Sequence, residues 1–121
     1  MKTKILLICN KGRTRSKYLA EYLRKKGFAT KFGGISKSAQ VKITKNKLDW
    51  TDKIVIVDGK VRKKFLEEYG VPKKEIIMLN VLDHPRQYPR EAQEMINKVR
   101  KKFKEKYVFP NLRRQIDKKL K

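Results

Sequence analysis

Three short apolar runs punctuate an otherwise polar chain. The first, Ile5-Leu6-Leu7-Ile8, has β-branched ends and stops at the polar, glycine-containing Cys9-Asn10-Lys11-Gly12. A continuous apolar run of this length suits a strand buried on both faces, as in a parallel sheet. From Ser16 the period changes. Tyr18 and Tyr22 share one spacing of four, Leu19 and Leu23 another, and Gly27 follows. That pattern predicts an amphipathic helix of about three turns, starting near Ser16 and stopping at Gly27. Residues 29–32 read as a second strand closed by Gly33-Gly34, whereas 36–47 is polar and carries no readable period. Ile54-Val55-Ile56-Val57 is a third strand, closed by Asp58-Gly59, and a helix over 61–69 ends at Gly70 and Pro72. Ile76-Ile77-Met78-Leu79 is the fourth strand, with a continuation through Val81-Leu82 left open. A helix over 91–107 gathers Ala92, Met95, Ile96, Val99 and Phe103 on one side, and Pro110 is expected to interrupt it. Leu112, Ile116 and Leu120 then recur every four residues in a short basic helix at about 110–121, whose period favours docking over a free tail.

Strands alternating with helices predict an α/β fold, a three-layer sandwich around a mostly parallel sheet. The 121 residues suffice for one domain and one core, so 1–121 reads as a single unit. Ligands of such sheets bind beyond the carboxyl ends of the strands. Three loops occupy that position, at Cys9, Asp58 and Asp83.

The first loop carries the most chemistry. Cys9 and Arg15 are separated by five residues and Ser16 follows, as Cys9-Asn10-Lys11-Gly12-Arg13-Thr14-Arg15-Ser16, between a buried strand and a helix start. A helix N-terminus presents unpaired N–H groups and partial positive charge, and successive loop N–H groups curl into a nest for an anion. That field favours a thiolate, which is a nucleophile toward the phosphorus of a bound monoester. Arg15 can hold two phosphate oxygens as a fork, Ser16 can donate to the sulfur, and Gly12 permits a left-handed backbone. Asn10, Lys11, Gly12, Arg13 and Thr14 would line the phosphate. The bland alternative is a buried structural cysteine beside a basic loop.

With this loop in this place, the chain resembles the low-molecular-weight protein tyrosine phosphatase family, most closely a compact microbial branch. Leu48-Asp49-Trp50-Thr51-Asp52, leading into Ile54-Val55-Ile56-Val57, is similar to that branch's approach to its third strand. The resemblance spans roughly Lys4 to Lys106. It implies a four-stranded parallel sheet flanked by helices, a cysteinyl-phosphate intermediate, and no metal or cofactor. It places the nucleophile on Cys9, the phosphate-binding arginine on Arg15 and the thiolate-steadying hydroxyl on Ser16. The family usually has asparagine at the position of Gly12, and its better-known members have a second cysteine at the position of Thr14. Arg13 stands where substrate choice is often made, and a cation there would favour a second negative charge. Arsenate reduction, known in relatives with this loop, normally needs further cysteines, and Cys9 is the only one here.

A leaving alkoxide or phenoxide needs a proton, and one carboxyl group can supply it and later activate water. The sequence Asp83-His84-Pro85-Arg86-Gln87-Tyr88 follows the last strand. It resembles the acid-bearing loop of the compact branch, which makes Asp83 the expected general acid. A turn or helix-capping aspartate is the competing reading. Asp58 is the rival acid, but its place just before a helix is explained by N-capping. Tyr88 is a candidate wall of the site, stacking on an aromatic substrate, with a core role equally open; His84 reads as a polar surface group.

Charge changes this picture in one respect. Lys and Arg number 34 against 12 Asp and Glu, a formal net charge of +22. Such an imbalance opposes compaction and favours polyanionic partners, and it exceeds what solubility requires. The expected partner is a phosphorylated protein or another phosphomonoester. Nucleic acid or another polyanion on the basic surface is the alternative, with a degenerate loop, lacking the family's asparagine at Gly12, binding phosphate without turnover. A lone cysteine excludes an intramolecular disulfide and fits a reducing, cytoplasmic location. The run at 5–8 is too short for a signal-peptide core or a membrane span.

Overall fold

The apolar run at the N-terminus forms the middle of the sheet. In the computed structural model, which describes residues 2–82 and 87–120 (the side chains of 96–98 excepted), Ile5, Leu6, Leu7 and Ile8 are completely buried. They lie in β1 (Lys4–Cys9), flanked by β2 (Ala29–Gly34) on one side and β3 (Lys53–Ile56) on the other, with β4 (Glu75–Met78) beyond β3. The order is β2-β1-β3-β4 and every pairing is parallel, with Leu6 opposite Lys31 and Ile54. Parallel strands covered on both faces need continuous apolar runs, which is the pattern β1 and β3 carry. At the sheet edge β4 is more polar, and its Glu75 pairs with Lys53 across the strand at 3.4 Å.

Right-handed crossovers place the helices. The move from β1 to β2 runs opposite to the moves from β2 to β3 and β3 to β4. It therefore puts α1 (Arg15–Lys25) on one face, and α2 (Lys45–Trp50) and α3 (Gly59–Tyr69) on the other. Leu19, Ala20 and Leu23 turn the buried stripe of α1 onto the sheet. Segment 36–47, unreadable by period, is a loop that ends in α2, capped by the Thr44 hydroxyl accepting the Lys47 N–H at 3.2 Å. After β4 the ladder continues irregularly: the N–H of Leu79 reaches Ile56 O and that of Val81 reaches Val57 O, both at 2.9 Å.

The C-terminal third departs from the single helix expected over 91–107. Helix α4 (Arg90–Lys98) ends at Val99, whose φ of −145° and ψ of 99° are extended. A second helical run starts at Arg100 with α5 (Arg100–Phe103), passes through a π-turn (Lys104–Val108) and continues as α6 (Phe109–Lys119). The break thus lies at Val99 rather than at Pro110, which sits in the first turn of α6. Proline lacks an N–H and its ring crowds the carbonyl four residues earlier. The wider π-turn in the preceding turn accommodates both, so the run bends instead of stopping.

The terminal helix is docked, as its period predicted. Leu112 and Ile116 are fully buried, Phe109 stacks on Tyr18 of α1 with centroids 4.0 Å apart, and Asp117 takes the Tyr22 hydroxyl and the Lys26 ammonium. Hydrogen bonding to Lys26 holds the Asp117 carboxyl below its ordinary value, and the same bond holds Lys26 above its own. Among the described residues no helix is long and apolar enough to cross a membrane.

Candidate active site

Strand β1 delivers Cys9 to the carboxyl end of the sheet, and α1 begins at Arg15, so residues 10–14 must turn within one short loop. The outside of that loop is zipped to the chain leaving β2. The N–H groups of Ile35, Ser36 and Gln40 donate to the carbonyls of Cys9, Asn10 and Lys11 at 3.0, 2.9 and 3.0 Å. Among the described residues no peptide bond is cis. In a trans peptide the carbonyl and the next N–H point in opposite directions, so three outward carbonyls turn the N–H groups of Asn10, Lys11 and Gly12 inward. The result is a nest of donors suited to an anion. The Gly12 N–H donates to the Cys9 sulfur at 3.2 Å.

Gly12 has φ of 64°. A Cβ on it would lie 2.1 Å from Val41 O, and a Cβ on Gly34 would lie 2.5 Å from Gly12 N. The loop and the end of β2 therefore meet backbone to backbone. That contact accounts for glycine where the resembling family has asparagine.

Two further groups converge on the sulfur side of the loop. Cys9 is 3% exposed and Ser16 is fully buried, with Sγ and Oγ 3.0 Å apart. Arg15 is 5% exposed; its Nη1 donates to Asp58 Oδ2 at 2.6 Å and to Val81 O at 2.8 Å. The other Asp58 oxygen accepts the Val61 N–H at 2.8 Å, the expected N-cap of α3. Asp58 thus caps a helix and anchors the loop arginine at once. The second role was not legible in sequence, because it depends on β3 lying next to β1.

Cys9, Asn10, Lys11, Arg13, Thr14 and Arg15 line a cavity of about 120 Å³, closed on its far side by Arg100, Phe103 and Lys104. Sequence reading missed these last three. The apolar period puts Phe103 on one stripe with Val99, yet Val99 is 43% exposed and Phe103 is 1% exposed. The helix break between them turns the first turn of α5 toward the loop, and the π-turn starts at Lys104, whose Nζ lies 3.4 Å from Thr14 Oγ1. Tyr88 does not line this cavity. Its ring packs against Phe103 and Tyr107 with centroids 5.6 and 5.7 Å away, and its hydroxyl donates to Leu82 O at 2.9 Å. The expected acid Asp83, with His84, lies outside the described residues.

Comparison of the sequence with family models and with curated proteins finds no match. Among solved structures the chain is similar to the YwlE arginine phosphatase from Geobacillus stearothermophilus, with a TM-score of 0.58 and 15% identity over 97% of this chain and 94% of that one. It is also similar to a YwlE mutant from Bacillus subtilis, with a TM-score of 0.57 and 10% identity over 96% of this chain and 99% of that one. Both belong to the low-molecular-weight protein tyrosine phosphatase family. At such identities the likeness establishes the fold: a four-stranded parallel sheet flanked by helices, as the resemblance in sequence implied.

Proposed function

We propose that this chain is a cysteine-dependent phosphatase that hydrolyses phosphomonoesters, phosphotyrosine or a similar aryl phosphate among them, through a cysteinyl-phosphate intermediate. The observation that carries this reading is the position of the Cys9 sulfur. It sits in a cavity bordered by Arg15, takes the Gly12 N–H at 3.2 Å and lies 3.0 Å from the Ser16 hydroxyl. Similarity of fold to phosphatase structures is consistent with it.

In the first step a sulfur lone pair attacks phosphorus while the bond from phosphorus to the leaving oxygen breaks. Inward N–H groups and the guanidinium take up the charge on the equatorial oxygens, where fixed donors count most. Asp58 and Val81 O hold Nη1 of Arg15, which fixes the plane of the fork before substrate arrives. Asp83 is the proposed donor of a proton to the leaving oxygen. In the second step its carboxylate takes a proton from water, the water oxygen attacks phosphorus, and the phosphorus–sulfur bond breaks to return thiolate and inorganic phosphate. The Ser16 hydroxyl stabilises that departing thiolate. An unpaired catalytic thiol suits a reducing location, and the cytoplasm is the proposed one.

The competing reading is a binding module that captures phosphate or nucleic acid without turnover. Its support is the net charge of +22. Gly12 does not add to it, since glycine there meets the steric demand of Val41 O rather than marking a decayed loop. Hydrolysis of para-nitrophenyl phosphate at about pH 6 separates the two. Turnover abolished by Cys9→Ser and strongly reduced by Asp83→Ala is expected. A wild type that binds phosphate or tungstate and turns nothing over would establish the binding module instead.

A further inference from the structure

Nine of the described residues line the cavity, and among these nine five are cationic and none is acidic: Lys11, Arg13, Arg15, Arg100 and Lys104 supply the charge. Asp58 compensates Arg15, and Lys11 reaches across to the Ser38 hydroxyl. Arg13, Arg100 and Lys104 remain at the mouth, the first two exposed and Lys104 half-buried. A bound phosphate dianion and the thiolate carry three negative charges. Among the described residues, the four lining cations that Asp58 does not pair with exceed them, before the partial positive charge of the α1 N-terminus is added.

The surplus is built by the fold against the local preference of the helix. Arg100, Lys101 and Lys102 occupy the first turn of α5, which holds no acidic residue. Cations there oppose the macrodipole. A local rule broken without local compensation points to a role elsewhere. The break at Val99 and the π-turn at Lys104 are what bring Arg100, of these three, and Lys104 over the cavity.

We propose that Arg13, Arg100 and Lys104 form a second anion subsite. The preferred substrate is then a phosphomonoester whose leaving group carries another negative charge, a carboxylate or a second phosphate, close to the reacting phosphorus. The inference rests on the phosphatase reading above and sharpens it. It also sets this site apart from one built for phosphoarginine, because a guanidinium-bearing leaving group would bring positive charge among these cations.

The test uses phenyl phosphates with different para groups joined through carbon, which leaves the phenol acidities closely matched. The para groups are carboxymethyl, carbamoylmethyl, 2-aminoethyl and phosphonomethyl. The readouts are kcat/KM for the wild type and calorimetric affinity for Cys9→Ser. The carboxymethyl ester is expected to exceed the carbamoylmethyl ester about tenfold, and the aminoethyl ester to fall below both. Arg100→Gln and Lys104→Gln should each lower the carboxymethyl-to-carbamoylmethyl ratio about two- to fivefold. Lys63→Gln, an equal loss of charge on exposed α3, should leave the ratio unchanged. Using the ratio cancels any general loss of activity in the variants. Preference for the phosphonomethyl over the carboxymethyl ester identifies a phosphate as the second anion, and the reverse identifies a carboxylate. Turnover with no preference for an anionic ester, or a preference unmoved by both variants, overturns the subsite and leaves the phosphatase reading standing. Absence of turnover with the same preference in binding overturns the phosphatase reading and leaves the subsite standing.

Discussion

At Gly12 a backbone conformation and a contact are selected together. Its φ of 64° is open to glycine at little cost, while a Cβ would meet Val41 O at 2.1 Å. The left-handed backbone alone costs an alanine about 1–2 kcal/mol, and forcing two backbones apart adds about 1–3 kcal/mol. Gly12→Ala should therefore lower unfolding stability by about 2–5 kcal/mol and weaken phosphate binding, both read from urea melts with and without phosphate. Gly12→Asn tests the steric part. Asparagine tolerates the left-handed backbone but carries the same Cβ, so a variant as stable as wild type would contradict the contact. The second residue of consequence is Asp58, 5% exposed and bonded to Arg15 at 2.6 Å. Removing the charge of one partner of a buried pair costs about 3 kcal/mol. Asp58→Asn retains an oxygen able to cap α3, so its expected loss of stability and of kcat/KM reports on the anchoring of Arg15 rather than on the helix cap. Unchanged kcat/KM in this variant would assign Asp58 to the cap alone.

Elements, not single residues, decide how the C-terminal third meets the site. The apolar period through Met95, Val99 and Phe103 predicts one continuous helix, yet the chain is extended at Val99 and the two ends of that stripe face different surroundings. Periodicity records which residues are apolar; it does not record a change of helix axis between two of them. Pro110 was a visible punctuation mark with a misleading location, because the π-turn ahead of it absorbs the lost N–H. The docking of α6 on α1 was legible from Leu112 and Ile116, and its polar seam adds a pH signature. Asp117 is held below its ordinary value of 3.8 mainly by hydrogen bonding to Lys26. A carboxyl depressed in the folded state stabilises the fold fully above its unfolded value, and this contribution fades as pH falls through the lower folded value. Asp117→Asn should lower the urea midpoint slightly at pH 7, because the pair is largely exposed. The difference from wild type should shrink once pH drops below the unfolded carboxylate value, about 3.9. An undiminished difference in acid would place the effect in packing rather than in the charge.

Across the whole molecule, 34 basic residues against 12 acidic ones set two opposing responses to salt. Self-repulsion is screened as the Debye length shortens, so the melting temperature should rise between about 10 and 200 mM sodium chloride. Attraction of an anionic substrate is screened over the same range, so kcat/KM should fall while the fold gains stability. Parallel changes in the two quantities would show that substrate capture does not draw on the general field. Much of this molecule was already determined by its sequence. Buried parallel strands demand continuous apolar runs, and β1 and β3 carry them; the proposed phosphate loop needs a cysteine and an arginine at a fixed spacing, and Cys9 and Arg15 stand at it. These are local constraints, written where they act. The partners of that loop are not local. Asp58 reaches Arg15 because β3 pairs with β1. The 35–40 segment turns the loop donors inward through backbone bonds that leave no mark on side-chain identity. Arg100 and Lys104 reach the cavity through a helix break and a π-turn nearly ninety residues downstream of the loop. Those contacts join segments far apart in the chain through backbone geometry and packing, which hydrophobic pattern does not encode, and so only the tertiary structure decided what surrounds Cys9.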